Sequence, residues 1–352
     1  MKYLFIVKRM QKEEKLALFI SHDMSLSGAP LVLYNAVQHY INIGYTPVFV
    51  SLNYGNLYKE LNKNNIINMI LFNKNKFLWK KLKKLNWKFI FINTIVSLKK
   101  VDEDLLNIDC KKVLWIHEGF DYFNKCEHLG LLNDSRLCKY FVSDWSYKAY
   151  ESKCTKIIDK PQLLRYSINK ILLEKEDFKY DFIIVGSICE RKNQNWLINV
   201  FSSLPENILN KIHVLFLGKT SNDSYSKKFL SLIDKYSWAN YYGLATHNET
   251  LELINQSKAL ICPSVDDPLP VVVAESLMLG KPVFTSDMTG FATLIINGKN
   301  GFVFDLKSTE SLKNQIIDFY CNAYNFKNNC LELFDTLFNN KIFYTKLEEI
   351  IK

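Results

Sequence analysis

Cys262 to Phe284 reads CPSVDDPLPVVVAESLMLGKPVF. The stretch opens on the end of an apolar strand and crosses a loop broken by Pro263, Pro268 and Pro270. A helix from about Val271 to Leu279 follows, then Gly280-Lys281-Pro282 and a second apolar strand. Strand, helix and strand in so short a span are the unit from which a helix-covered parallel sheet is built. Glu275 is the anomaly, a carboxylate in a helix whose other positions are apolar or small. Burying it unpaired is costly, so it must meet a ligand hydroxyl or a fixed hydrogen-bond partner. Asp267 lies in the loop ahead of the helix; capping is its plain role, and Asp266 competes for it.

The same alternation runs outward in both directions. Strand candidates upstream are LALFIS (16–21), PVFVSL (47–52), WKFIFIN (87–93), KVLWIH (112–117) and YFVS (140–143). DFIIVG (181–186), HVLFLG (213–218), ANYYG (239–243), KALICP (258–263) and KPVFTS (281–286) form a second set. Runs apolar at nearly every position suit strands buried on both faces, and segments such as APLVLYNAVQHYINIG have helical periodicity between them. The pattern predicts an α/β protein with doubly wound sheets. It fails between about Pro161 and Lys179, where the interdomain linker is expected. The expected division is a first domain over 1–165, a second over 166–325 and a helical tail over 326–352 that packs back on the first.

The chain has 352 residues, 48% hydrophobic and 23% charged, which is globular composition and ample for two cores. No apolar run has the length of a membrane span, and the apolar stretch in MKYLFIVKRM is too short for a secretory signal. A cytoplasmic protein is expected. Its eight cysteines form no CxxC pair and none stands beside a histidine at metal-ligand spacing, so they read as reduced thiols, mostly interior, with no metal expected. The net charge of +9, concentrated in runs such as Lys74 to Lys84 and Lys99 to Lys112, fits a solvated basic face or attraction to an anionic membrane surface or lipid-linked acceptor. No nucleic-acid motif accompanies it.

Further candidates lie where strands meet helices. SHDMSLSGAPLV (21–32) places a Ser/Gly-rich loop before a helix, with Pro30 suited to the first turn. Gly28 would let a phosphate approach the helix N-terminus; the plain alternative is a helix start capped by Ser25 or Ser27. His117 ends a strand at the edge where ligands sit in doubly wound sheets, although lone histidines are often structural; His22 has a similar position. In DFIIVGSICERKNQNWLI, Arg191 and Lys192 stand at a helix entrance, either as a diphosphate clamp or as surface charge.

Taken together these residues resemble a known family. The Asp267-to-Glu275 segment is similar to the acid-x7-acid signature of the retaining glycosyltransferases of family 4 (group 1). SLSGAPLV, NTIVS (93–97), WIHE (115–118), YFVSDW (140–145), VGSICERKNQ (185–194) and GKNGFVF (298–304) fall in that family's order, so the resemblance spans most of the chain. It implies a GT-B fold: two Rossmann-like domains with the active site in the cleft between them. It implies that Glu275 holds the donor's ribose hydroxyls and Asp267 those of the transferred sugar. Arg191 and Lys192 would neutralise the diphosphate, with backbone N–H groups at Val271, Val272, Gly28 and Ala29. Ser187 and Gly218 would border the donor, and His117 would touch the donor sugar near the reacting carbon. No metal or other cofactor is implied. The partners would be a nucleotide-sugar and a glycan or lipid-linked acceptor of bacterial surface polysaccharide synthesis, with peripheral membrane association and no nucleic acid.

Three departures stand out. Ser187 occupies a place where many members carry Arg, the first acid is Asp267 rather than Glu, and the family's Asn-Gly-x-Asp loop is absent around Leu164 to Asn169. A milder one is Ala29 in place of the loop's second glycine. The rival readings are a non-catalytic partner of the same fold, a sugar-nucleotide epimerase, and a nicotinamide-dependent dehydrogenase, whose glycine fingerprint the first loop lacks.

Overall fold

The structure, a computed structural model, describes residues 13–26, 28–70, 76–126, 129–154, 160–173 and 177–352. The chain divides into two units, Met1–Ser167 with Asn340–Lys352, and Ile168–Asn339. The first contains β1 (Leu16–Ser21), helix α1 (Gly28–Asn42), β2 (Thr46–Ser51), β3 (Ile67–Ile70), β4 (Trp87–Asn93), β5 (Lys111–Ile116) and β6 (Leu137–Phe141). The second begins with β7 (Tyr180–Val185), α2 (Gln194–Ser202), β8 (Val214–Leu217), β9 (Ala239–Gly243), α3 (His247–Asn255) and β10 (Ser257–Cys262). It continues through α4 (Val271–Met278), β11 (Val283–Ser286), β12 (Gly301–Phe304), α5 (Thr309–Cys321) and α6 (Lys327–Leu337). The last helix, α7 (Asn340–Ile351), belongs to the first unit.

Each unit holds one parallel six-stranded sheet, ordered β3-β2-β1-β4-β5-β6 in the first and β12-β11-β10-β7-β8-β9 in the second. Both orders reverse direction once, between β1 and β4 and between β7 and β10. Loops leaving the C-terminal ends of those strand pairs diverge and leave a crevice, the place where such sheets take ligands.

The strand sequences explain the packing. In β1 every residue is buried, because helices cover both sheet faces. Side chains alternate: Leu18 and Ile20 join Val48, Val50, Ile90, Ile92 and Leu114 in one core. Phe19 points to the other face, where its ring lies 5.7 Å from both Phe89 and Tyr40. On this face Tyr40 of α1 donates its hydroxyl to the Leu347 carbonyl of α7 at 2.8 Å, and Phe343 lies 5.7 Å from Trp115. Helix α7 thus completes the first unit's core. In the second unit Phe182, Phe284 and Phe319 pack mutually, with centroids 5.4 to 5.6 Å apart.

Several sequence expectations need adjustment. Strands β3 and β12 were not foreseen as strands; both are four-residue edge strands. The expected second domain stops at 325, whereas helix α6 also groups with the second unit and only α7 joins the first. The cysteines are all free, but Cys154, Cys262 and Cys330 alone are buried, Cys321 is exposed and the rest are half-buried. The basic runs are partly neutralised: Lys83 binds Asp102 at 2.7 Å and Asp104 at 2.8 Å. Lys74, the N-terminal decapeptide and Ser27 lie outside the described residues. Among the described residues no helix is long and apolar enough to cross a membrane.

Candidate functional site

The second unit's candidates gather at its topological switch point. The loop after β7 carries Gly186 to Asn193, and the loop after β10 carries Pro263 to Pro270. Gly186 and Gly218 occupy adjacent strand ends, at φ +149° and +151°. A Cβ on Gly218 would stand 2.0 Å from the Gly186 carbonyl oxygen, so this residue is glycine because two backbones meet there. Ser187 is exposed, and its carbonyl accepts a hydrogen bond from Gln194 Nε2 at 3.0 Å.

Arg191 and Lys192 lie in a 3-10 turn, Glu190–Lys192, rather than in the helix itself; Asn193, in the left-handed region at φ 60°, separates them from α2. Both cations turn to Asp267. Oδ2 of that carboxylate stands 3.0 Å from Arg191 Nη1 and 2.7 Å from Lys192 Nζ. Arg191 Nη1 also donates to the Asp266 carbonyl, and the Arg191 carbonyl accepts from Val265 N, so the two loops are stitched together. Burial alone would raise the Asp267 pKa, but Lys192 and Arg191 outweigh it and hold the carboxyl below its ordinary value. Asp267 therefore does not cap α4. Pro270 holds the cap position and offers no side-chain acceptor, leaving the first turn, at Val271 and Val272, without a side-chain cap.

Glu275 is 6% exposed on the second turn of α4. Its Oε1 lies 2.7 Å from His247 Nε2, an acceptor position that requires Nε2 to carry the proton. The carboxylate thus has a fixed partner, one of the two environments its sequence position demanded. His247 opens α3, where Thr246 and Glu249 form a capping box. The bond to Glu275 outweighs partial burial and raises the His247 pKa.

The first unit's candidates form a second group at the other switch point. Gly28, at φ 55°, starts α1, and the Ala29 carbonyl accepts from Asn93 Nδ2 at 3.0 Å. His117 follows the last residue of β5, with its ring 4.4 Å from Trp115. Its Nε2 is buried without a hydrogen-bond partner. Burial, then the neighbouring His22, pushes its pKa down to about 3, so the imidazole is neutral. Glu118, which sequence reasoning passed over, accepts from Ile95 N at 2.8 Å and from His117 N at 3.0 Å. Burial outweighs these backbone donors and raises its carboxyl to about 7. Beside it Thr94 adopts φ 74°, a strained value for a β-branched residue, and its hydroxyl lies 3.2 Å from His22 Nδ1. Among the described residues no three His, Cys, Asp or Glu side chains gather in a way that could hold a metal ion.

Two doubly wound units with charged residues at both switch points agree with known proteins. Residues 13–180 match the model described as glycosyl-transferase family 4, and residues 168–331 that of the glycosyl transferases group 1. The chain belongs to the family 4 (group 1) glycosyltransferases. It is similar to the lipopolysaccharide glucosyltransferase WaaG of Escherichia coli strain K12, 25% identical over 134 residues, 38% of this chain and 35% of that protein. It is also similar to the capsular polysaccharide biosynthesis glycosyltransferase CapH of Staphylococcus aureus, 30% identical over 111 residues, 31% of this chain and 30% of that one. These matches span about a third of each relative. Anabaena HepE, solved in complex with UDP and glucose, superposes with a TM-score of 0.80 at 16% identity over 95% of this chain and 98% of its own. A glycosyltransferase from Rickettsia africae superposes at 0.72 and 17% identity, covering 96% and 98%. The family member has the GT-B fold.

Proposed function

We propose that this protein transfers a sugar from a nucleotide-diphosphate-sugar to a glycan or lipid-linked acceptor, with retention of anomeric configuration, in bacterial surface polysaccharide synthesis. The observation that carries the reading is Glu275, a buried carboxylate on the helix that leaves the second unit's switch point. A carboxylate held there by one donor keeps lone pairs for the vicinal hydroxyls of a ribose. The uncapped start of α4 offers N–H groups to the diphosphate, and Arg191, with 45% of its side chain exposed, adds a cation. Charge neutralisation by these groups would serve the leaving diphosphate without a metal. Asp267 is assigned to hydroxyls of the transferred sugar, with its remaining lone pairs. For His117 the proposed role is acceptance from a sugar hydroxyl by its neutral imidazole. Relatives named for lipopolysaccharide and capsule synthesis support the product class. The charge of +9 supports work at the inner membrane face.

The test is isothermal titration of UDP, GDP and ADP into wild type and Glu275→Ala. One nucleotide should bind wild type and bind the variant at least tenfold more weakly, a loss of about 1.4 kcal/mol or more. Undiminished binding by a folded variant would overturn the site. Binding of no nucleotide would favour the non-catalytic partner.

A further inference from the structure

We infer that His247 is a positioning residue for nucleotide recognition, holding the Glu275 carboxylate oriented toward a ribose diol; the inference rests on the donor-site reading above. The two side chains come from different helices, α3 and α4, and meet at 2.7 Å although 28 residues apart in sequence. Their burial is unequal: 7% of the Glu275 side chain is exposed against 53% of His247. The carboxylate is therefore the desolvated partner, and the imidazole is the group that reaches in from the surface to satisfy it. Nothing in the capping of α3 needs the His247 side chain, because Thr246 and Glu249 already close the helix start reciprocally.

Charged groups on the elements packed against α3 do not compete for the imidazole. Lys258 of β10 and Asp181 of β7 pair with one another at 2.8 Å, and Glu249 on α3 itself bends back to Thr246. Nε2–H thus has Glu275 as its acceptor. One oxygen of that carboxylate is fixed by a single bond from the histidine, which sets the plane of the other oxygen. A ribose offers two adjacent hydroxyl donors and matches a carboxylate held in a fixed plane; a freely rotating one would serve it poorly.

Without His247, the buried Glu275 oxygen loses its donor and the carboxylate is no longer held in one plane for the diol. The experiment measures Kd at pH 8 for whichever of UDP, GDP or ADP binds wild type, in wild type, His247→Ala and His247→Gln. Glu275→Ala serves as the reference for loss of the site. We expect His247→Ala to weaken binding about tenfold, the worth of one charge-assisted bond. Gln, which also carries an N–H donor, should recover most of the affinity. A Kd for His247→Ala within about twofold of wild type overturns the inference while Glu275→Ala still loses binding. Failure of Gln to recover more than Ala overturns it too. If Glu275→Ala binds as wild type does, or no nucleotide binds wild type, it is the donor-site reading that fails, and the inference falls with it.

Discussion

Asp267→Asn removes one negative charge from between two cations and keeps the side chain's shape. The cost follows from burial. Asp267 is 12% exposed and Lys192 15%, so that pair is largely desolvated; Arg191, at 45%, is screened by water and contributes less. Breaking a buried pair by removing one partner costs about 3 to 5 kcal/mol, and the Asn oxygen recovers about 1 kcal/mol by still accepting from Lys192. The expected loss is about 2 to 4 kcal/mol, a fall in Tm of roughly 5 to 12 °C for a unit of this size. The pH dependence gives a second check. The folded carboxyl's pKa lies below its ordinary value of about 3.8, so its contribution is present above that value and lost as pH falls through the folded one. Urea unfolding of both proteins at pH 7, 5 and 3 is the assay, with the transition of the second unit followed by amide hydrogen exchange in β7 and β10 peptides. A gap below 1 kcal/mol at pH 7 refutes the reasoning. So does a gap that stays constant down to pH 3.

Two further substitutions probe the scaffold. Gly218→Ala places a methyl 2.0 Å from the Gly186 carbonyl oxygen at φ +151° and should cost about 3 kcal/mol or more, read by thermal denaturation; a loss under 1 kcal/mol would contradict the close approach. Tyr40→Phe leaves the Leu347 carbonyl without its buried donor and should cost about 1 to 2 kcal/mol, with faster amide exchange in α7; unchanged exchange there would refute the anchoring role.

Much of the fold was legible because both sheets are covered on both faces. LALFIS, WKFIFIN and ANYYG coincide with β1, β4 and β9 residue for residue. INMI does not announce itself, since β3 is an edge strand whose Asn68 side chain bonds Asn62 and the Ile66 carbonyl. Gly301, whose absent Cβ would meet the Val283 carbonyl at 2.0 Å, hid β12 behind a glycine that reads as a turn. Within the site, Glu275 was conspicuous as a lone carboxylate in an apolar helix. Its partner was not, because Thr246 and Glu249 account for the start of α3 without assigning His247 any task. Nor does the sequence show that Asp267 meets Arg191 and Lys192. That meeting depends on β7 lying beside β10, an adjacency created by the strand order.

Helix α7 has a consequence for biosynthesis. The first unit's core includes Phe343 and the Tyr40 bond to Leu347, and both Phe343 and Leu347 follow the entire second unit in the chain. A ribosome adds roughly 5 to 20 residues each second, so translation of the second unit delays α7 by roughly 9 to 35 s after the rest of the first unit has been made. During that interval the Trp115 and Tyr40 face lacks its cover. The unit that is made first is therefore the one finished last, and that exposed aromatic face is where a chaperone would engage the nascent chain.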